Sequence, residues 1–157
     1  GPLTNPARVK RQLIGLYSGD LVEKIARVLQ ELGSDRAMVV HSQDGLDELS
    51  VCDSTRVAEL QDEEINIYEV TPEDVGLNRH DLSDLKVESV AESEKVINGV
   101  LSGKKGAPRD MVLLNAGAGI YVGGKTDSLE EGVAMAADAV DSGEASKTLG
   151  KLVQLSR

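Results

Sequence analysis

The segment His41-Ser42-Gln43-Asp44-Gly45-Leu46-Asp47-Glu48 brings three carboxylates and a glycine close together. The adjacent pair Asp47 and Glu48 suits a hard cation that keeps most of its waters. Mg²⁺ takes one or two protein carboxylates and completes its octahedron with water and substrate phosphate. From the residues alone a solvated acidic loop is the simpler account, since 27 of the 157 residues are Asp or Glu. The other reactive side chains are scattered. His41 and His80 lie far apart in sequence, no serine occupies a nucleophile elbow, and the lone Cys52 has no second cysteine and no evident cation beside it. Inert burial is the expected state of that thiol. Lys104, Lys105 and Arg109 form a small basic loop that could meet a phosphate or serve as a solvated turn between helices. The glycines between Asn115 and Gly124 have the look of a dinucleotide fingerprint, but their spacing is off by one residue and they come late in the chain. Small residues that let a helix approach another helix, or the sheet, explain them better.

The elements that must position the acidic loop are legible on both sides of it. Gln12 to Tyr17 is a mostly apolar run closed by Ser18-Gly19, which suits a buried strand. Asp20 and Glu23 have capping-box spacing, and Leu21, Ile25, Val28 and Leu32 follow at helical spacing before Gly33. Ala37 to Val40 is a second apolar run. Strand, helix and strand with short connections form a βαβ unit with parallel strands, and ligands bind beyond the carboxyl ends of such strands. The acidic loop leaves one of these ends. Thr55–Leu60 and Ile65–Val70 suit a hairpin whose turn lacks glycine, and Thr71-Pro72-Glu73-Asp74 a turn or helix start. Residues 76–88 are the expected loop. Helices are expected from about residue 90, over Leu129–Val140 behind a Ser128/Glu131 capping box, and from Ala145 to Val153. Met111 to Val122 reads as either a buried helix or a strand entering a turn. The expected fold class is α/β, a mostly parallel central sheet flanked by helices.

Composition excludes several partners. The net charge of −10 repels nucleic acid and anionic membranes, and no run of five Lys or Arg offsets it. With three Tyr, no Phe and no Trp, platforms for stacking bases are missing. No signal peptide and no apolar stretch of membrane-spanning length is evident, so a cytoplasmic location is expected. The sequence opens on Gly1 rather than Met, which reads as processing or as a piece of something longer.

Several of these pieces together resemble one family. Gly1-Pro2-Leu3-Thr4-Asn5-Pro6-Ala7, the strand Gln12–Tyr17, and Val39-Val40-His41 followed by Asp44-Gly45-Leu46-Asp47-Glu48-Leu49 look like anthranilate phosphoribosyltransferase. The stretches from Arg109-Asp110 to Asn115-Ala116 and from Asp127 to Gly132 are similar to the C-terminal pattern of that family. The resemblance implies transfer of a phosphoribosyl group from phosphoribosyl pyrophosphate (PRPP) to anthranilate, releasing pyrophosphate, in tryptophan biosynthesis. It implies the fold type shared by nucleoside phosphorylases and these phosphoribosyltransferases, with residues 1–157 forming most of the large α/β domain. By the same resemblance Asp47 and Glu48 hold Mg²⁺ at the pyrophosphate. Gly1 and Pro2 line the anthranilate route, and Asn5, with Pro6, shapes the same turn.

The helical domain and glycine-rich PRPP loop of the family have no counterpart in these residues. The 157-residue chain is therefore expected to be inactive alone and the full-length protein to be a homodimer. Other readings are a pyrimidine nucleoside phosphorylase of the same fold, which the Asp-Gly-Leu-Asp-Glu stretch speaks against, a non-catalytic binding homologue, and a scaffold domain with merely solvated acids.

Overall fold

The computed structural model describes Leu3 and residues 6–156. The opening βαβ unit forms as expected: β1 (Arg11–Gly15) and β2 (Arg36–Ser42) are parallel neighbours joined through α1 (Val22–Glu31). Residues 43–54 then turn the chain back, so β3 (Thr55–Gln61) runs antiparallel to β2, and β4 (Glu64–Val70) antiparallel to β3. The sheet order is β1-β2-β3-β4. It is a mixed sheet with one parallel and two antiparallel pairings, not the mostly parallel one expected. The cause is the connections: a parallel return needs a crossover, usually a helix, and neither the loop after β2 nor the turn after β3 contains one.

β2 is buried on both faces, and its alternation sorts two cores. Ala37 and Val39 join Ile14, Ala58 and Leu60 under α1, while Met38 and Val40 join Val57, Leu114, Ala118 and Val133 on the other side. The face of α1 differs from the expected stripe. Val22, Ala26 and Leu29 are buried, whereas Val28 and Leu32 are 39% and 57% exposed. A 3₁₀ turn at Gly19–Leu21 precedes the helix, and no side chain caps either element, so the Asp20/Glu23 capping box does not form. Leu21 and Ile25 of the expected stripe are half-buried at the edge of that face.

The second layer is helical. α2 (Val90–Leu101) buries only Val100, and α3 (Ala107–Val122) settles the ambiguous apolar run as a helix that begins earlier, with Pro108 in its first turn. α4 (Leu129–Asp141) is capped by Ser128, whose hydroxyl accepts from the Glu131 N–H, and α5 (Glu144–Leu155) packs beside α4 without a fully buried residue. The small residues do serve close approach: a Cβ on Gly117 would lie 2.6 Å from the Val133 nitrogen, and one on Gly132 2.4 Å from the Gly117 carbonyl oxygen. Arg109 is not part of a basic loop. It lies in the first turn of α3, 2% exposed, and its Nη2 donates to Asp141 at 2.9 Å.

The far end of α3 is tied to the sheet by Arg36. Its guanidinium stacks 3.9 Å over the Tyr121 ring, donates to the Tyr121 carbonyl at 2.9 Å, and pairs with Glu59 at 3.1 Å. The Tyr68 hydroxyl donates to the other Glu59 oxygen at 2.7 Å. Burial, and then the Glu59 carboxylate, push that hydroxyl far above the ordinary tyrosine range.

Candidate functional site

Residues 43–54 leave the carboxyl end of β2 and pass over that of β1, the place where a parallel pair opens to a ligand. The loop is shaped from within. Gly45 sits at φ +91°, its N–H donates to the Ser42 carbonyl at 3.0 Å, and Ser42 N–H donates to the Leu46 carbonyl at 3.0 Å. Asp44 accepts from the Ser50 hydroxyl at 2.5 Å and from the Leu46 N–H at 3.3 Å. Burial alone would raise its pKa, but the hydrogen bonds from Ser50, Ser42 and Leu46 outweigh it and hold the carboxyl below its ordinary value. Of the three clustered acids, Asp44 therefore builds the loop.

Asp47 and Glu48 are the acids left to face outward. Both are exposed, and neither side chain has a hydrogen bond or ion pair among the described residues. They line two adjoining clefts of about 570 and 460 Å³ that share Met111 and Val112. The larger cleft is walled by apolar residues of α2 and α3, among them Val96, Val100 and Pro108. The smaller is floored by Gly15 and Val40 at the strand ends and bounded by Asn115.

The loop is seated from two sides. A Cβ on Gly15 would fall 1.4 Å from the Asp47 carbonyl oxygen. Across the cleft, the Asn115 carboxamide accepts from the Leu49 N–H at 3.0 Å, and donates to the Leu49 carbonyl at 2.8 Å and the Met111 carbonyl at 3.0 Å. Neither Gly15 nor Asn115 stood out as a site residue in the sequence. The available signal was a single carboxamide in the otherwise apolar run Met111–Val122.

The donor set bears on which metal fits. No group of three or more His, Cys, Asp or Glu able to cage an ion exists among the described residues. Two adjacent exposed carboxylates suit a cation that keeps waters and takes its remaining oxygens from a phosphate, as Mg²⁺ does, and not one held in an all-protein cage.

The remaining candidates have local partners or lie elsewhere. His41 Nδ1 lies 2.8 Å from the Leu16 carbonyl, and His80 Nε2 lies 2.8 Å from Asp110. Cys52 is partly exposed instead of buried, and burial pushes its thiol up, with Asp44, Asp81 and Asp84 adding to the effect. Lys104 and Lys105 stay exposed in the turn before α3. Gly1, Pro2 and Asn5 lie outside the described residues. No helix among the described residues is long and apolar enough to cross a membrane.

A family model described as "Glycosyl transferase family, a/b domain" matches residues 1–146. The chain belongs to this family. Among curated relatives, the anthranilate phosphoribosyltransferase of Thioalkalivibrio sulfidiphilus is 50% identical over 98% of the chain and 45% of the relative. That of Methylobacillus flagellatus is 47% identical over 100% of the chain and 46% of the relative. The chain thus spans less than half the length of the curated relatives it matches. The crystal structure of anthranilate phosphoribosyltransferase from Thermus thermophilus superposes with a TM-score of 0.89 at 41% identity, covering 98% of this chain and 45% of that one. The Saccharomyces cerevisiae enzyme in complex with PRPP and Mg superposes with a TM-score of 0.83 at 26% identity, over 96% and 44%. The resemblance and fold type drawn from the opening motif and the Gly-Leu-Asp-Glu stretch are borne out at the level of family.

Proposed function

We propose that this chain is most of the large α/β domain of an anthranilate phosphoribosyltransferase, the enzyme that joins anthranilate to PRPP and releases pyrophosphate in tryptophan biosynthesis. The observation that carries this reading is the Asp47–Glu48 pair, exposed in a cleft at the end of the parallel strands, in a chain half identical to a protein of that name.

The charge of the site requires a cation. Two adjacent carboxylates on a chain of net charge −10 repel a pyrophosphate group unless positive charge lies between them. Asp47 and Glu48 hold Mg²⁺ in this reading. When bound, the ion supplies positive charge against the negative charge that builds on departing pyrophosphate. The carboxylates fix where that charge stands and orient the leaving group relative to the ribose. The amine of anthranilate is a competent nucleophile without a base, so positioning dominates what the protein contributes. Gly1, Pro2 and Asn5 shape the anthranilate route. The glycine-rich loop and the cationic side chains that grip PRPP come from the length of the relatives that the chain does not span, so the 157 residues alone are inactive. The complete protein is a cytoplasmic homodimer.

The test is the loss of anthranilate fluorescence on adding PRPP and Mg²⁺ to the complete gene product. Mg²⁺-dependent loss, reduced about 10²–10³-fold in an Asp47→Asn/Glu48→Gln variant, is expected by comparison with other groups that stabilise transition-state charge. Undiminished transfer by that variant, or no transfer by the unsubstituted protein, would overturn the reading.

A further inference from the structure

We infer that Asn115 is a positioning residue for the Asp47–Glu48 pair, fixing the backbone from which both carboxylates project; this rests on the reading of that pair as the Mg²⁺ ligands. The two side chains have no hydrogen bond of their own among the described residues, so their placement depends on what holds the main chain. On one side stands Gly15, against the Asp47 carbonyl. On the other stands Asn115, which holds the N–H and the C=O of Leu49, the residue directly after Glu48.

The residue type matters. A carboxamide presents an acceptor and a donor side by side, so one side chain satisfies both polar groups of one residue as a neighbouring strand would. A carboxylate lacks the donor, and an aliphatic side chain lacks both. The anchor behind Asn115 is firm: its second N–H ties back to Met111 on the same helix, and its neighbours Leu113, Leu114, Gly117 and Ala118 are buried in the main core. Leu49 is itself 0% exposed. Glu48 is therefore one residue from a backbone unit fixed by both its side chain and its main chain. Freeing that unit leaves two mutually repelling carboxylates to be gathered by the cation itself, at a cost in ordering entropy.

The experiment titrates Mn²⁺, followed by its electron paramagnetic resonance signal, into the complete gene product in the presence of pyrophosphate. Asn115→Ala is expected to weaken Mn²⁺ binding about 10–100-fold, the range seen when a group supporting a metal ligand is removed. The KM for anthranilate should change less than about twofold, since uniform damage to the fold would move both. Asn115→Asp is the second variant and guards against misfolding of the first. It keeps the size and adds negative charge, which by itself would tighten cation binding. Weakened Mn²⁺ binding in Asn115→Asp therefore supports lost positioning, and unchanged or tighter binding in either folded variant overturns it. The Asp47→Asn/Glu48→Gln variant separates the two levels. If Mn²⁺ binding does not need those acids, the metal reading fails and this inference with it. If binding needs the acids and ignores Asn115, only this inference fails.

Discussion

Gly15 and Asp47 meet backbone to backbone: a methyl group on the Gly15 α-carbon would sit 1.4 Å from the Asp47 carbonyl oxygen. The strand end and the acidic loop are thus in van der Waals contact with no room for a side chain. Gly15 is not among the positive-φ glycines, so its lack of a side chain serves space and not backbone conformation. Because the atom it meets belongs to main chain, no rotamer change can relieve the overlap. Gly15→Ala is expected to push residues 46–48 outward, at a stability cost of about 1–3 kcal/mol for overpacking. A displacement near 1 Å at the reacting centre costs on the order of 10²-fold in rate, which the fluorescence assay on the complete gene product would read. Full activity in Gly15→Ala would show that the seat of Asp47 is immaterial.

The Asp44 carboxyl makes the loop sensitive to acid in a defined direction. Its folded pKa is held below the ordinary 3.8 by hydrogen bonds from Ser50, Ser42 and Leu46 that outweigh its burial. A depressed carboxyl contributes stability that is complete above the unfolded pKa and disappears as pH falls through the folded one. The urea midpoint of the unsubstituted protein should therefore exceed that of Asp44→Asn by a constant margin from neutrality down to near 3.8, and the margin should close below it. Glu73, drawn down to about 2 by its hydrogen bond from Arg79, adds its own acid dependence to both proteins and cancels in the difference. A margin that persisted well below the ordinary carboxylate range would mean that the charge on Asp44 contributes nothing.

How far the sequence could be read follows from which signals are local. Ala37 to Val40 and the stretch before Ser18 are continuous apolar runs either side of a helical pattern, so the parallel pair was legible. The direction of β3 was not, because it is set by residues 43–54, which have no periodicity and turn the chain through hydrogen bonds among Ser42, Asp44, Ser50 and Ser54. α1 carries two rows at helical spacing, one with Val28 and Leu32 and one with Val22, Ala26 and Leu29. Propensity cannot choose between them; packing against Ile14, Ala37, Val39, Ala58 and Leu60 buries the second. The site shows the same division. Asp47 and Glu48 stand out in the sequence as adjacent acids, but Gly15 and Asn115 are joined to them only through contacts across the fold, the latter to Leu49 from 66 positions away along the chain.

The turn between β3 and β4 holds two adjacent non-glycine residues in the left-handed region. Gln61 pairs with Glu64, leaving Asp62 and Glu63 as a two-residue connection, and both lie at positive φ, 51° and 65°. Such turns match the twist of the flanking strands and favour Asn-Gly. Asp tolerates the left-handed region through its short polar side chain, but Glu does not share that advantage. The Glu63 carbonyl accepts from the Gln30 side chain at 2.6 Å, a bond to main chain that any residue at this position retains. Glu63→Gly should therefore relieve left-handed strain of about 1 kcal/mol, partly offset by the greater freedom of glycine in the unfolded chain. A net gain of about 0.5 kcal/mol is expected, read as a higher urea midpoint with unchanged slope. The turn lies at the opposite end of β3 from residues 43–54, so Mg²⁺-dependent transfer by the complete protein should be unaffected. A lower midpoint in Glu63→Gly would mean that the Glu63 side chain contributes more to the folded state than its backbone conformation costs.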